Sequence, residues 1–342
     1  MNAVRVGIIG FGRIGAEHAG WLGESKNIRA VAAADVTAAR REMAGRKGLR
    51  GYEHFEDLFG DSSIDAVLIS SPTSMHFDQA SAALLAGKHV MIEKPMTTNL
   101  DDARQLLELA TERKRVLSVF HNRRWDADFL AVKRAIESGV FGKIINIESR
   151  LGQWASCVGP AAKEYRPNWR NEGTFGGGGL FDWGSHFVDQ MWQLMLPARP
   201  VGVFAQLRHN VWSDDCDDFA RVCIDFDNGA VGVVEINSTT MLPLPRWHID
   251  GTAGSAESPH SPTFDVGRWA EIEFKLAGAE ASRRLPAGAK GLSEIQIWER
   301  FAGAIAGEGE PAVTAESVLP TMALLDAARE SGLNGQAVIP AF

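Results

Sequence analysis

A glycine-rich turn between a short apolar run and an amphipathic stretch constrains the fold of this 342-residue chain more than any other feature. Val4–Ile9 predicts a strand, Ile14–Leu22 predicts a helix, and Gly10-Phe11-Gly12-Arg13-Ile14-Gly15 joins them as G-x-G-x-x-G. In this setting Gly10 permits a tight turn, Gly12 lets the backbone approach a pyrophosphate, and Gly15 lets helix and strand pack closely. Free N–H groups and partial positive charge at the helix N-terminus suit a phosphate. The turn therefore predicts a dinucleotide site.

The second apolar run, Ile28–Ala34, ends at Asp35, which lies 20 residues after Gly15. A carboxylate there accepts hydrogen bonds from ribose hydroxyls and repels a ribose phosphate, so NAD is favoured over NADP. Arg40 and Arg41 lie nearby and moderate that preference. The alternative is a glycine-rich turn in an αβ domain that binds no nucleotide.

The first third of the chain alternates short, fully apolar runs with amphipathic stretches, which is typical of parallel strands covered by helices on both faces. The predicted strands after the first two are Ala66–Ser70, His89–Ile92 and Val116–Phe120, and the predicted helices after the first are Thr37–Gly45, His76–Ala86 and Asn99–Lys114. The pattern predicts a doubly wound parallel sheet in residues 1–122.

Longer strand-like runs joined by turns follow, so residues 123–342 are expected to form an α/β domain with an open, mostly antiparallel sheet. The predicted strands are Ile144–Leu151, Val201–His209, Ala220–Asp225, Val231–Ser238, Trp247–Asp250 and Ala270–Phe274, and the predicted helices are Asp126–Ser138, Asp182–Leu194 and Leu319–Glu330. Gly251–Pro262 is expected to be a loop, and the last helix is expected to pack back on the first domain.

Two further groups of residues carry candidate chemistry. Lys94 follows the strand His89–Ile92 within Glu93-Lys94-Pro95, at the sheet edge where ligands bind in such folds. Asp182 and His186 lie four residues apart after a run of four glycines, and a carboxylate one helical turn away orients a histidine for acid–base work. Each also has a structural interpretation, namely a surface lysine, a capping aspartate and a packed histidine. We predict no catalytic metal, because no second histidine or cysteine cluster has ligand spacing.

Composition narrows the function. The net charge of −8 argues against a nucleic-acid partner, and no run approaches the about 18 apolar residues of a membrane helix. Three scattered cysteines and the lack of a signal-peptide pattern favour a reducing, cytoplasmic setting. The chain has 10 Trp against 2 Tyr, and indole faces stack on sugar rings.

Taken together, the sequence resembles the glucose–fructose oxidoreductase and inositol dehydrogenase (Gfo/Idh/MocA) family. The resemblance rests on motifs in family order: GFGRIG with His18, Ser70-Ser71-Pro72-Thr73 with His76, Glu93-Lys94-Pro95, Asn122-Arg123-Arg124, GGGGLFDWGSH, and the closing Ala327-Ala328-Arg329-Glu330-Ser331. The family implies an N-terminal Rossmann domain for NAD and a C-terminal domain for substrate binding and for assembly into homodimers or homotetramers.

The resemblance also implies residue roles. Lys94, Asp182 and His186 match the family's catalytic set, and Ser71, Pro72, His76, Glu93 and Asn122 match positions that line the cofactor. The chain departs from the common pattern at Ser71-Pro72-Thr73, where Thr-Pro-Asn is usual, and at His121, where an aromatic residue such as Tyr is frequent.

The predicted reaction is hydride transfer between NAD and a secondary alcohol of a sugar or cyclitol, with His186 taking the proton, Asp182 orienting it and Lys94 holding the reacting oxygen. Substrate contacts are expected among Trp154, Arg166, Trp169 and Trp183, although the indoles would equally serve as packing. The alternatives are a redox glycoside-cleaving enzyme, a non-catalytic NAD-binding regulator and, least of all, an interaction module without a nucleotide.

Overall fold

The computed structural model describes residues 3–156, 169–209, 211–260, 266–286 and 288–342. Contacts divide the chain into two compact units. The first comprises Met1–Asn122 and Leu292–Met322, and the second comprises Arg123–Gly291 and Ala323–Phe342. Across the described ranges, no helix has both the length and the apolar character that crossing a bilayer requires.

The first unit contains a six-stranded, wholly parallel sheet in the order β3-β2-β1-β4-β5-β6, which confirms the predicted doubly wound fold. Its strands are β1 (Val4–Ile9), β2 (Ile28–Ala34), β3 (Arg50–Tyr52), β4 (Ala66–Ile69), β5 (His89–Ile92) and β6 (Leu117–Val119). Its helices are α1 (Arg13–Glu24), α2 (Ala38–Arg46), α3 (Glu56–Gly60), α4 (His76–Leu85), α5 (Leu100–Arg113) and, from late in the chain, α8 (Glu294–Ile305). The strand order reverses between β1 and β4, and ligands bind in the crevice at such a switch point.

Local chemistry explains where several of these helices begin. The Asn99 side chain accepts a hydrogen bond of 2.9 Å from the Asp102 amide, so α5 begins one residue later. Ser293 and Gln296 form a reciprocal capping box at the start of α8. The sequence analysis missed β3, α3 and α8, because the first two are too short to show a period and α8 lies far from the sheet it joins.

The second unit contains an eight-stranded mixed sheet in the order β14-β13-β12-β11-β7-β10-β9-β8. Its strands are β7 (Ile144–Gly152), β8 (Pro200–Arg208), β9 (Phe219–Phe226), β10 (Val231–Asn237), β11 (Trp247–Gly251), β12 (Gly254–Glu257), β13 (Glu273–Leu276) and β14 (Arg283–Arg284). Among the described strands of this second sheet only β7 and β10 pair in parallel, so the predicted open, mostly antiparallel sheet is confirmed.

One loop prediction and one strand prediction in this unit were wrong. The expected loop Gly251–Pro262 contains β12, which pairs with β11 across a tight reversal even though its residues Gly254–Glu257 are small or charged. The expected strand Ala270–Phe274 begins instead at Glu273, after a 3₁₀ turn at Val266–Ala270. Both errors arise because pairing with a neighbouring strand outweighs weak local propensity.

The helices of the second unit are α6 (Ala127–Glu137), α7 (Ser185–Met195) and α9 (Leu319–Asn334), whose first four residues belong to the first unit. The sequence predicted an ordinary α-helix beginning near Asp182. The structure instead has a π-helical turn at Leu180–Gly184, and regular α-helix begins at Ser185. π-helical turns are rare and occur frequently at functional sites.

Charged and polar side chains fix α7 within its unit. Asp189 forms a two-point ion pair with Arg124, with N–O distances of 2.7 and 2.8 Å. Gln190 donates to the carbonyl oxygen of Arg123 at 2.7 Å and accepts from Arg246 at 2.5 Å. Arg246 is 1% exposed, lies 3.6 Å above the Phe187 ring, and has its pKa lowered to about 10 by burial. This anchorage determines where the start of α7 lies.

We expect Asp189→Asn to lower the free energy of unfolding by about 3 kcal/mol, because the variant leaves the largely buried Arg124 guanidinium without its carboxylate. Urea unfolding followed by circular dichroism measures the change. The matched control is Glu137→Gln in the exposed Lys133–Glu137 pair, where N and O are 4.0 Å apart and the loss should stay below about 0.5 kcal/mol. Equal losses in the two variants would contradict the anchoring role of Asp189.

Candidate functional site

The three motif glycines of the β1–α1 turn have different local surroundings. Gly10 has φ of +85°, and a Cβ there would lie 2.8 Å from the amide nitrogen of Ser71. A Cβ on Gly15 would lie 2.2 Å from the carbonyl oxygen of Gly10. A Cβ on Gly12 would meet nothing nearer than the Arg40 guanidinium at 3.9 Å. Packing therefore requires glycine at positions 10 and 15, whereas at position 12 it leaves open space beside the start of α1.

Asp35 holds this turn against the end of β2. Its carboxylate accepts hydrogen bonds from the amides of Phe11 at 2.8 Å and Thr37 at 2.9 Å, one on each oxygen. Arg40 Nη1 lies 3.4 Å from Oδ2, and Arg41 donates to the Asp35 carbonyl oxygen at 2.9 Å. A carboxylate oxygen accepts more than one hydrogen bond, so Asp35 retains capacity for a hydroxyl ligand.

The free space at Gly12, the start of α1 and the carboxylate at the end of β2 fit a dinucleotide. No side chain caps the N-terminus of α1 and no acidic residue lies in its first turn, which includes Arg13 and Ile14. Its amides therefore suit a pyrophosphate, while Asp35 suits a ribose.

His76 joins the loops after β4 and β5. Its imidazole is 1% exposed, with Nε2 lying 3.1 Å from the carbonyl oxygen of Ser71 and Nδ1 lying 3.0 Å from that of Pro95. Burial lowers the pKa of His76 more than the two carbonyl groups raise it. Pro72 follows Ser71 directly. The two contacts of His76 therefore fix the predicted cofactor loops after β4 and β5 relative to each other.

Glu93 and Lys94 follow β5 at the same sheet edge. Glu93 Oε1 lies 2.8 Å from His18 Nε2, and Oε2 accepts a hydrogen bond of 3.1 Å from the Lys94 amide. Burial alone would raise the pKa of Glu93, but the His18 hydrogen bond and the charge of Lys94 lower it below its ordinary value. Glu93 is thus a carboxylate at neutral pH. Asn122, at the end of this unit's first segment, donates to Glu294 at 3.4 Å.

In the second unit the glycine run before Asp182 lets the Arg170 backbone and the Asp217 carboxylate lie close to it. A Cβ on Gly177 would lie 2.6 Å from the carbonyl oxygen of Arg170. At Gly178, where φ is +105°, a Cβ would lie 2.3 Å from Asp217. The Asp217 carboxylate accepts a hydrogen bond of 2.7 Å from the amide of Leu180, and burial raises the pKa of Asp217 to about 6.

Asp182 lies in the π-helical turn and His186 in the first turn of α7, where its side chain is 5% exposed. Arg170 Nε lies 3.6 Å from Asp182 Oδ1, and its guanidinium also lies 4.3 Å from the Trp169 ring centroid. The sequence analysis did not single out Arg170, although its place beside Trp169 in an aromatic and basic segment was a usable signal.

The aromatic substrate candidates have different surroundings. Trp154 is 47% exposed and meets Trp212 edge to face at 5.4 Å. Trp183 carries the Arg123 guanidinium 4.4 Å from its ring centroid. Arg166 lies outside the described residues. Within the described ranges, no three His, Cys, Asp or Glu residues form a group that could hold a metal ion.

Two glycine substitutions separate packing from ligand binding in the β1–α1 turn. Gly12→Ala should fold with a melting temperature close to that of the wild type, since a Cβ has 3.9 Å of room, yet should weaken NAD binding at least about tenfold by blocking the pyrophosphate. Gly15→Ala should instead lower the melting temperature. Calorimetric titration with NAD and thermal unfolding measure both effects. Unchanged NAD affinity in Gly12→Ala would contradict the cofactor site.

Comparison with known proteins places these features in a family. Residues 4–121 match the Gfo/Idh/MocA model described as an oxidoreductase family with an NAD-binding Rossmann fold, and residues 129–257 match the family's C-terminal domain. The chain spans 55–60% of the length of three uncharacterized oxidoreductases from Escherichia coli and Schizosaccharomyces pombe.

Two relatives with named activities align over more of the chain. It is 30% identical to 1,5-anhydro-D-fructose reductase of Ensifer adhaerens, over 82% of this chain and 81% of that protein. It is 27% identical to the NADP⁺-dependent scyllo-inositol 2-dehydrogenase IolW of Bacillus subtilis, over 75% and 68% of the respective chains. The crystal structure of an NAD-binding protein from Listeria innocua superposes with a TM-score of 0.86 at 30% identity, covering 98% of this chain and 97% of that one. The chain belongs to the Gfo/Idh/MocA family of oxidoreductases.

Proposed function

We propose that this protein is an NAD-dependent dehydrogenase that oxidises a secondary hydroxyl of a sugar, sugar derivative or cyclitol, or reduces the corresponding ketone. The observation that carries the proposal is the shared sheet edge in the first unit. The glycine turn after β1 leaves space for a pyrophosphate, and Lys94 follows β5 at the same edge of the sheet. The substrate class is supported by the relatives named for an anhydro-sugar and an inositol.

In the proposed reaction the protein positions the alcohol and handles its proton. NAD, when bound, supplies the hydride acceptor. His186 takes the hydroxyl proton, Asp182 orients the imidazole, and Lys94 holds the reacting oxygen and stabilises the negative charge that develops on it. Trp154, Trp169 and Trp183, together with Arg166, are proposed to recognise the ring and hydroxyls of the substrate.

The cofactor proposal depends on Asp35. Its carboxylate lies at the end of β2 and is 7% exposed, so it offers a fixed negative charge beside the glycine turn. A ribose phosphate would place a second negative charge there, whereas ribose hydroxyls would donate to it. Arg40 and Arg41 already contact Asp35, which reduces their availability for a phosphate.

The proton-handling roles predict non-additive kinetics. Lys94→Ala and His186→Ala should each lower kcat by about 10²- to 10⁴-fold while the Kd for NAD changes little. If both act on one proton transfer, the double variant should be about as slow as the slower single variant. NADH absorbance across sugars, inositols and glycosides measures turnover, and calorimetry measures NAD binding.

The same screen separates the alternatives. Wild-type turnover in either single variant would remove that residue from the mechanism. Release of an aglycone without net NADH change would instead identify redox-assisted glycoside cleavage. NAD binding without turnover of any compound in the screen would identify a regulator.

Cofactor preference gives an independent prediction. Wild type should favour NAD over NADP by at least about tenfold in kcat/KM, and Asp35→Asn should largely abolish that preference because the repelling charge is lost. Glu53→Gln is the matched control, since Glu53 lies 3.4 Å from Arg41 and the substitution changes net charge equally. A wild-type preference for NADP would contradict the role given to Asp35.

A further inference from the structure

A chain of side-chain hydrogen bonds leads from α8 to the segment that carries Lys94. Trp298 donates its indole N–H to His18 Nδ1 at 3.0 Å across 280 residues of sequence. His18 Nε2 lies 2.8 Å from Glu93 Oε1, and Glu93 Oε2 accepts from the Lys94 amide at 3.1 Å. All four residues belong to the first unit. This series of hydrogen bonds ends at Lys94, the residue proposed to hold the substrate oxygen.

Trp298 and Glu93 require the same tautomer of His18. An indole nitrogen only donates, so Nδ1 of His18 must be the unprotonated acceptor and Nε2 must carry the hydrogen. His18 therefore donates to Glu93 rather than accepting from it. Both rings are 0% exposed, so water does not replace either partner. The Glu93 carboxylate, which only accepts, requires hydrogen on the same nitrogen, so both neighbours agree on the direction.

Aromatic packing also restricts the orientation of the imidazole. The His18 ring meets Trp21 at 4.8 Å, Phe120 at 4.4 Å and Trp298 at 5.5 Å, in each case edge to face, with interplanar angles of 79°, 70° and 90°. Rotation of the imidazole would break the contacts to Trp298 and Glu93 together. His18 is thus held in one orientation by rings and in one tautomer by Trp298 and Glu93.

We propose that Trp298 and His18 are positioning residues for Lys94, acting through the Glu93 carboxylate; this role rests on the proposed function. One carboxylate oxygen is occupied by His18 and the other by the Lys94 amide, so the imidazole sets the plane of Glu93 and Glu93 sets the backbone of Lys94. Loss of the indole donor leaves the buried Nδ1 of His18 without its partner, so only the Glu93 contact then fixes the orientation of the imidazole. The Lys94 backbone then loses a fixed partner.

The first test does not depend on turnover. In protein with ¹⁵N-labelled histidine, NMR should show His18, assigned by the loss of its signals in His18→Gln, with hydrogen on Nε2 alone. Trp298→Phe should change the Nδ1 chemical shift, because that nitrogen loses its donor, and should increase exchange of the Lys94 amide at least about tenfold. Trp21→Phe is the matched control, because Trp21 packs on the same imidazole while Nδ1 accepts from Trp298. A wild-type His18 with hydrogen on Nδ1, or unchanged Lys94 exchange in Trp298→Phe, overturns the proposal.

The second test separates positioning from folding. Trp298→Phe should lower kcat at least about tenfold with KM for NAD within about twofold, because a misplaced reacting group slows the chemical step. His18→Gln and His18→Met are of similar size, but only glutamine can accept from Trp298 and donate to Glu93. His18→Gln should therefore retain markedly more turnover than His18→Met. Equal turnover in these two variants overturns the positioning role.

The two tests also distinguish the proposals from each other. If wild type oxidises no alcohol in the screen, the dehydrogenase proposal fails, while NMR and Lys94 amide exchange still decide whether Trp298 and His18 fix the segment. If wild type turns over and the variant kinetics match wild type, only the positioning role fails. Should Trp298→Phe fold poorly, the His18→Gln and His18→Met pair supplies the same decision.

Discussion

The Gly10 carbonyl oxygen lies so close to Gly15 that a Cβ at position 15 would be only 2.2 Å from it. This close contact sets the angle at which α1 leaves β1. Two features of the first unit depend on this approach. It brings the uncapped start of α1 beside the open space at Gly12, and it places His18, one turn further along, against Glu93. A single short backbone contact thus positions both the proposed phosphate site and the partner of the Lys94 segment.

In the second unit, charged side chains rather than glycines alone fix the position of α7. The anchors of α7 are a guanidinium–carboxylate pair and a buried arginine, which cost more to desolvate than apolar residues. Their use is consistent with a helix whose first turn must hold a histidine in one place, because directional bonds fix a register that apolar packing leaves adjustable. Upstream, the glycine run admits the Asp217 carboxylate against the start of the π-helical turn.

Most of the architecture could be predicted from the sequence because its signals are local. Parallel strands buried on both faces read as short apolar runs, and the glycine turn identified β1, α1 and the expected ligand edge. Several of the misses were elements without a local signal. β3 has three residues, β12 is small and charged, and the π-helical turn before α7 has no periodic signature that distinguishes it from an α-helix.

The candidate site was predictable only as residue types at family positions. Asp35, Lys94, Asp182 and His186 could be named, but their supports could not, since Trp298 is 280 residues from His18 and Arg246 is 56 from Gln190. A position in a helix and a position in the core would account for the burial of His18 and Trp298, but neither reveals the hydrogen bond between them. Which nitrogen of His18 donates its hydrogen can be assigned only when the neighbours of both nitrogens are known.

The residues that fix the Lys94 segment differ from those that fix α7, and this affects how substrate recognition can change. Glu93 is fixed by His18 of α1 and by the Lys94 amide, whereas α7 is fixed by Arg123, Arg124 and Arg246 of the second unit. Substitutions around Trp154, Trp169 or Trp183 therefore leave the contacts that hold Glu93 intact. Since recognition of a polyol depends on which hydroxyls are read, such substitutions would alter the substrate while the Lys94 segment stays supported.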